Sequence, residues 1–107
     1  MTDELEQEFH RAMVNTYEVA KRDVHYNATR FIQMIAERGG LGAAHQLVHA
    51  SAVSEGFTRL WEVDRLDLSV EALIHDNHRF AVLFSASERR IAERRLTEYG
   101  YLRPTAP

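Results

Sequence analysis

Apolar residues recur at helical spacing along most of this chain. Leu5, Phe9, Met13, Thr16, Tyr17 and Ala20 keep a steady i, i+4 rhythm up to about Arg22, which predicts one long amphipathic helix. Thr2 or Asp3 would cap it, and the acids that follow sit favourably against the helix dipole. Asn27 reads as the cap of a second helix with Phe31, Met34 and Ile35 inward. Gly39-Gly40 reads as its left-handed end. A short third helix then runs from Leu41 to about Ala50, with Leu41, Ala44, Leu47 and Val48 inward.

The stretch Ser54–Ile74 carries the densest pattern and the sole tryptophan. Phe57, Leu60, Trp61 and Asp64 fall at i, i+3, i+4 and i+7, and Val70, Leu73 and Ile74 repeat that spacing. Between them, Leu66 and Leu68 can turn inward while Asp67 or Ser69 accepts from the free N–H groups of the next helix. This predicts a helix–corner–helix with Trp61 buried at its centre and Asp67 as a structural anchor.

Asp76-Asn77-His78-Arg79 reads as a loop, and Phe80, Val82, Leu83 and Phe84 as an apolar stretch leading to a capping box. There Ser85 is the N-cap and Glu88, three residues on, reaches back to it. The last helix would run from Ala86 to about Tyr99 and stop at Gly100, with residues 102–107 a frayed tail. No β-type alternation, repeat or linker is visible. The expectation is an all-α fold: a compact bundle of five to six helices in a single domain spanning residues 1–107.

Arg95 stands out within the last helix. At about 100° per residue it projects between Ile91, Ala92 and Tyr99, toward the core. A charge aimed there needs a partner, and Asp64, Asp67 and Glu71 are the candidates; truncating such a buried, paired arginine would cost about 3 kcal/mol or more.

Composition narrows the function classes. The chain has 107 residues, 45% of them apolar and 27% charged, as expected for one globular domain. It has no cysteine, which removes disulfides, thiolate nucleophiles and cysteine-ligated zinc. No apolar run approaches the roughly 20 residues of a membrane span, and the acidic start does not resemble a signal peptide. A cytoplasmic location and no membrane partner are therefore expected. The net charge of −3 places −4 in the first eight residues and +1 in the rest. Nearly all the positive charge is arginine, with Lys21 the only lysine, a bias that suits planar partners such as carboxylate or phosphate.

Several blocks occur together: Tyr26-Asn27-Ala28-Thr29-Arg30-Phe31, Gly39-Gly40-Leu41, Ser54-Glu55-Gly56-Phe57, Arg65-Leu66-Asp67-Leu68-Ser69-Val70-Glu71-Ala72, and Ile91-Ala92 through Arg95-Leu96 to Tyr99-Gly100-Tyr101. This pattern resembles a widespread family of small bacterial proteins of unknown function, over roughly residues 9–101. Residues 65–72 are its most specific part. The resemblance implies no activity, ligand or catalytic residue. The chain departs from the family's pattern at His25, where glycine is common, and in its additional histidines.

Four constellations could carry chemistry. His45 and His49 stand at i, i+4, the spacing of the HExxH zinc-protease motif, but Gln46 occupies the place of the general base and cannot take a proton. A third ligand would have to come from His75, Asp76 or His78. His75-Asp76-Asn77-His78 itself could form an acid–base pair. A helix–turn–helix over residues 41–64 is disfavoured because Phe57, Leu60 and Trp61 consume the would-be recognition face. Finally, Arg89, Arg90, Arg94 and Arg95 interleave with Glu88, Glu93 and Glu98, giving the i, i+4 pairs Arg89–Glu93 and Arg94–Glu98. No nucleophile elbow or phosphate loop is present, and no cofactor is expected.

These features point to a non-catalytic helical interaction module that binds another protein or itself. Its expected contact surfaces are the first helix, beside Tyr17 and His10, and the arginine face of the last. The alternative is a small nucleic-acid-binding accessory protein using Arg59, Arg89, Arg90 and Arg94. A third reading is a metal-dependent enzyme built on His45, His49, His75 and His78.

Overall fold

The apolar stripe of the first segment forms α1, Glu4–Val24, on which Phe9 and Met13 are completely buried. It is followed by α2 (Thr29–His49), α3 (Glu55–Glu62), α4 (Val70–Asp76) and α5 (Ala86–Glu98), with 3₁₀ turns at Leu66–Leu68 and His78–Leu83. These come from a computed structural model that describes residues 4–103. The described residues contain no strand. The Cα radius of gyration is 13.2 Å, close to the roughly 13 Å of a single domain of this length. The fold is an all-α bundle. Among the described residues no helix is long and apolar enough to cross a membrane.

The Gly39-Gly40 pair breaks α2 into two arms rather than ending it in a loop. Gly39 has φ 76° and ψ 163°, a conformation open essentially only to glycine. The interruption leaves the Gly40 N–H outside the helical ladder, and His10 Nδ1 on α1 accepts it at 2.8 Å. The two helices come so close here that a Cβ on Gly40 would lie 2.6 Å from the His10 Cα. His25 follows α1 at φ 57°, a left-handed position where glycine is the cheaper residue. The α2 N-cap is Ala28, without a side-chain bond. Asn27 instead accepts the Tyr17 hydroxyl at 2.7 Å.

Two clusters fill the interior. In the first, Phe80 from the 3₁₀ segment and Phe84 just after it meet Phe9 edge-on, with ring centroids 5.1 and 5.4 Å from that of Phe9. The second gathers Phe57, Leu60, Leu66, Ala72 and Leu96. Leu102 packs against this cluster, and its N–H donates to Leu96 O at 3.2 Å. The expected tail therefore does not begin at residue 102. Its remainder, 104–107, and the expected caps Thr2 and Asp3 lie outside the described residues.

The corner at residues 54–74 differs from the expectation in two ways. Trp61 is not the buried centre; it is 48% exposed. The eight-residue α3 has room inward for Phe57 and Leu60 only, so the indole stands at the edge with Tyr99 at a centroid distance of 5.5 Å. Nor is Asp67 an anchor: at the surface it accepts from Arg65 at 3.0 and 3.2 Å. Ser69 caps α4, accepting from the Ala72 N–H at 3.1 Å while its hydroxyl donates to Leu66 O at 2.7 Å.

Arg95 is buried, only 6% exposed. Of its three candidate partners the fold selects Glu71, with Nη1 to Oε2 at 3.1 Å. The guanidinium also donates to Leu47 O at 3.1 Å and to Ala50 O at 2.7 Å. It thereby adds to the long 3.4 Å bond from the Ala50 N–H at Leu47 O and supplies a donor to the Ala50 carbonyl, at the negative pole of that helix. Burial pushes the Glu71 carboxyl above its ordinary value, against the lowering pull of its own backbone N–H and of Arg95. Desolvation is not fully offset, as in buried pairs that fix geometry more than they add stability.

The α1–α2 crossing yields a prediction. Gly40→Ala should lower the unfolding free energy by about 1–3 kcal/mol, because the crossing backbones must separate. Gly56→Ala in α3, where a new Cβ meets nothing closer than 3.6 Å, should be neutral or stabilise by up to about 1 kcal/mol. Urea denaturation compares the two, and equal effects would refute the close approach.

Candidate functional site

The second arm of α2 carries His45 and His49 one turn apart, so both rings leave the same side of the helix. That side faces the start of α5. There Ser85 Oγ accepts from the Glu88 N–H at 3.1 Å, and Glu88 Oε1 accepts from the Ser85 N–H at 2.8 Å. This is the capping box expected from the sequence. It uses only one carboxylate oxygen. The other, Oε2, meets His45 Nδ1 at 2.6 Å and His49 Nε2 at 2.7 Å.

The three side chains differ in exposure. The Glu88 side chain is 8% exposed, whereas that of His45 is partly covered and that of His49 open to solvent. The His45 ring leans on Phe84, with centroids 4.9 Å apart. Burial pushes the Glu88 carboxyl up, but the Ser85 N–H, the two imidazoles and the charge of His45 outweigh it and hold it at about 2. Glu88 is thus a fixed, ionised acceptor across the ordinary pH range, and both rings can donate to it.

Glu88 is the third member that the histidine spacing lacked. His75 and His78 do not join the cluster: His75 Nδ1 lies 3.1 Å from Asp76 Oδ1, and His78 is exposed at the start of the 3₁₀ segment. Asp76 also accepts the Tyr101 hydroxyl. That phenol is raised to about 12, by burial first and then by Asp76 and Asp67. No general base replaces Gln46, since the one carboxylate at the cluster is occupied on both oxygens. The arrangement can tie two helices together or bind a cation, and both Glu88 oxygens are already engaged in hydrogen bonds.

The arginines separate into engaged and available groups. Arg89 does not pair with Glu93. It turns back to donate to Ala81 O at 2.8 Å and Phe84 O at 2.9 Å, closing the 3₁₀ segment. Arg59 lies over the Tyr26 ring at 5.5 Å. Arg94 and Glu98 face each other at a loose 3.9 Å. Arg90 and Arg94 border a shallow surface depression with His75 and Arg103. Tyr17 and His10, expected on a contact surface, are used within the fold by Asn27 and Gly40.

A second depression, at Tyr99–Tyr101, is lined by Trp61, Asp64, Asp67, Tyr99 and Tyr101. No family model matches the chain, and neither a curated protein nor a solved structure gives a significant match.

The Glu88 carboxyl makes acid stability predictable. Its folded value lies below the ordinary 4.5, so its contribution is fully present above about pH 4.5 and is lost as pH falls toward 2. A depression of this size corresponds to at most about 3 kcal/mol, and to less where solvent screens the histidine contacts. Between pH 5 and pH 2 the parent should lose about 1–3 kcal/mol more unfolding free energy than Glu88→Gln, which keeps a capping-box side chain. Parallel losses in urea titrations would contradict the assignment.

Proposed function

We propose that this chain is a non-catalytic helical interaction module that pairs with a second copy of itself through the surface around Tyr99–Arg103. The observation that carries this reading is the exposure of Trp61. A large indole left half in water, braced edge-on by Tyr99 and followed by the exposed Val63, has the character of an interface anchor.

The surroundings suit a copy of the same surface. Trp61, Asp64 and Asp67 line the depression at Tyr99–Tyr101, and Arg90, Arg94 and Arg103, with Glu93 and Glu98 among them, line the one at Leu102 and Arg103. A two-fold axis near the segment would set the acidic, aromatic depression of each copy against the mixed but net-positive depression of the other. That is the self-complementarity an isologous contact needs, with charges arranged to favour the correct register.

The nucleic-acid alternative has less support. Arg59 and Arg89 are committed to intramolecular contacts, and Arg90 and Arg94 are interleaved with Glu93 and Glu98. Phosphate backbones favour unbroken positive charge.

Sedimentation velocity over a wide concentration range tests the proposal. A dimer is expected, dissociating as salt rises, and Trp61→Ala or Arg94→Glu should shift it to monomer without unfolding the chain. A chain that stays monomeric at the highest attainable concentration, or a dimer indifferent to Trp61→Ala, would overturn it.

A further inference from the structure

Two imidazoles and one carboxylate converge where the second arm of α2 passes the first turn of α5. The donor atoms of His45, His49 and Glu88 lie within 4.8 Å of one another. We propose that these three side chains form a binding site for a late first-row divalent cation, with Zn²⁺ the best match. This inference is independent of self-association, which uses a different surface.

The donor chemistry selects the ion class. Two neutral imidazoles and a single carboxylate suit Zn²⁺ and its neighbours, whereas Ca²⁺ and Mg²⁺ call for shells of oxygen. With bonds of about 2.0–2.2 Å, tetrahedral coordination places donors about 3.3 Å apart. The present separations of 2.6 and 2.7 Å from Glu88 Oε2 therefore need to open by well under 1 Å, while the two ring nitrogens, within 4.8 Å of each other, need to close by up to about 1.5 Å. The histidines can supply that movement: His49 is exposed, and His45 is only partly covered. Each ring would move its proton to its other nitrogen and present a lone pair where it now presents N–H.

The carboxylate is prepared in the way supported metal ligands are. Glu88 Oε1 is held by the Ser85 N–H at 2.8 Å, which fixes the direction of Oε2, as second-shell hydrogen bonds do in metal sites. The buried Phe84 backs His45 at 4.9 Å, limiting where that ring can point. The i, i+4 spacing on one helix arm sets both imidazoles on the same ion. Three protein donors leave the fourth position to water at the exposed His49 side. With Gln46 in place of a base, a bound ion would act as a cross-link between α2 and α5 rather than as a hydrolytic centre.

Calorimetric titration of the full, untagged chain with Zn²⁺ at neutral pH, after chelator treatment, tests this directly. Native mass spectrometry supplies the stoichiometry. One Zn²⁺ per chain is expected, with a melting temperature that climbs with ion concentration. His49→Ala and Glu88→Gln should each weaken binding by at least about tenfold, since loss of even a supporting partner costs 10–100-fold. His78→Ala should leave binding unchanged. Glu88→Gln keeps the capping contact; should it fail to fold, the exposed His49→Ala carries the test alone. No saturable binding with Zn²⁺ in large excess would overturn the proposal. So would binding that survives both substitutions, or that is lost with His75→Ala or His78→Ala.

Discussion

The guanidinium of Arg95 is the constraint on which the arrangement of helices depends. It projects from α5 into an interior of apolar side chains and finds three acceptors there: Glu71 on α4 and the carbonyls of Leu47 and Ala50 where α2 ends. A cation in that position is tolerable only while all three are present. Their simultaneous supply fixes where α2 stops, how α4 is rotated and how deep α5 sits. Apolar packing alone would allow some sliding between these helices. A planar group with a fixed fork of donors does not.

A second polar contact joins the same two long elements nearer the start of α5. Glu88 has one oxygen in its own capping box and the other against His45 and His49, so α2 and α5 are fastened by Glu88 at one end and by Arg95 at the other. The two differ in accessibility. Arg95 is sealed, whereas the histidines open to solvent, so only the Glu88 cluster can exchange its hydrogen bonds for an external ion. The exposed Trp61 lies elsewhere, beside Tyr99. The tie, the proposed cation site and the proposed contact surface thus involve different residues, which lets each be altered without dismantling the others.

Much of this architecture is legible in the residues, and the failures have physical causes. Helical periodicity located α1 and α5, and the Ser85–Glu88 spacing identified a capping box that the structure contains. The wheel position of Arg95 correctly implied a buried pair, and Glu71 was among its named partners. Gly39-Gly40 marked an interruption, although it bends one helix where an end was expected, because the His10 ring satisfies the N–H that the break exposes. The indole was misjudged. Its i+4 spacing from Phe57 matched an inward stripe, yet a helix of eight residues buries only its innermost positions, and Trp61 lies at the rim. Glu88 as a histidine partner was missed because its pairing spans 43 and 39 residues of chain. A local signal did exist: a capping-box carboxylate spends one oxygen on its own helix and must direct the other somewhere.

The most direct test of the central claim is a double-mutant cycle between Arg95→Ala and Glu71→Ala, read by urea denaturation. A buried, desolvated pair sharing a network should give a coupling energy of at least about 1.5 kcal/mol. A coupling below about 0.5 kcal/mol, the range of an exposed ion pair, would show that the guanidinium does not hold these helices in place.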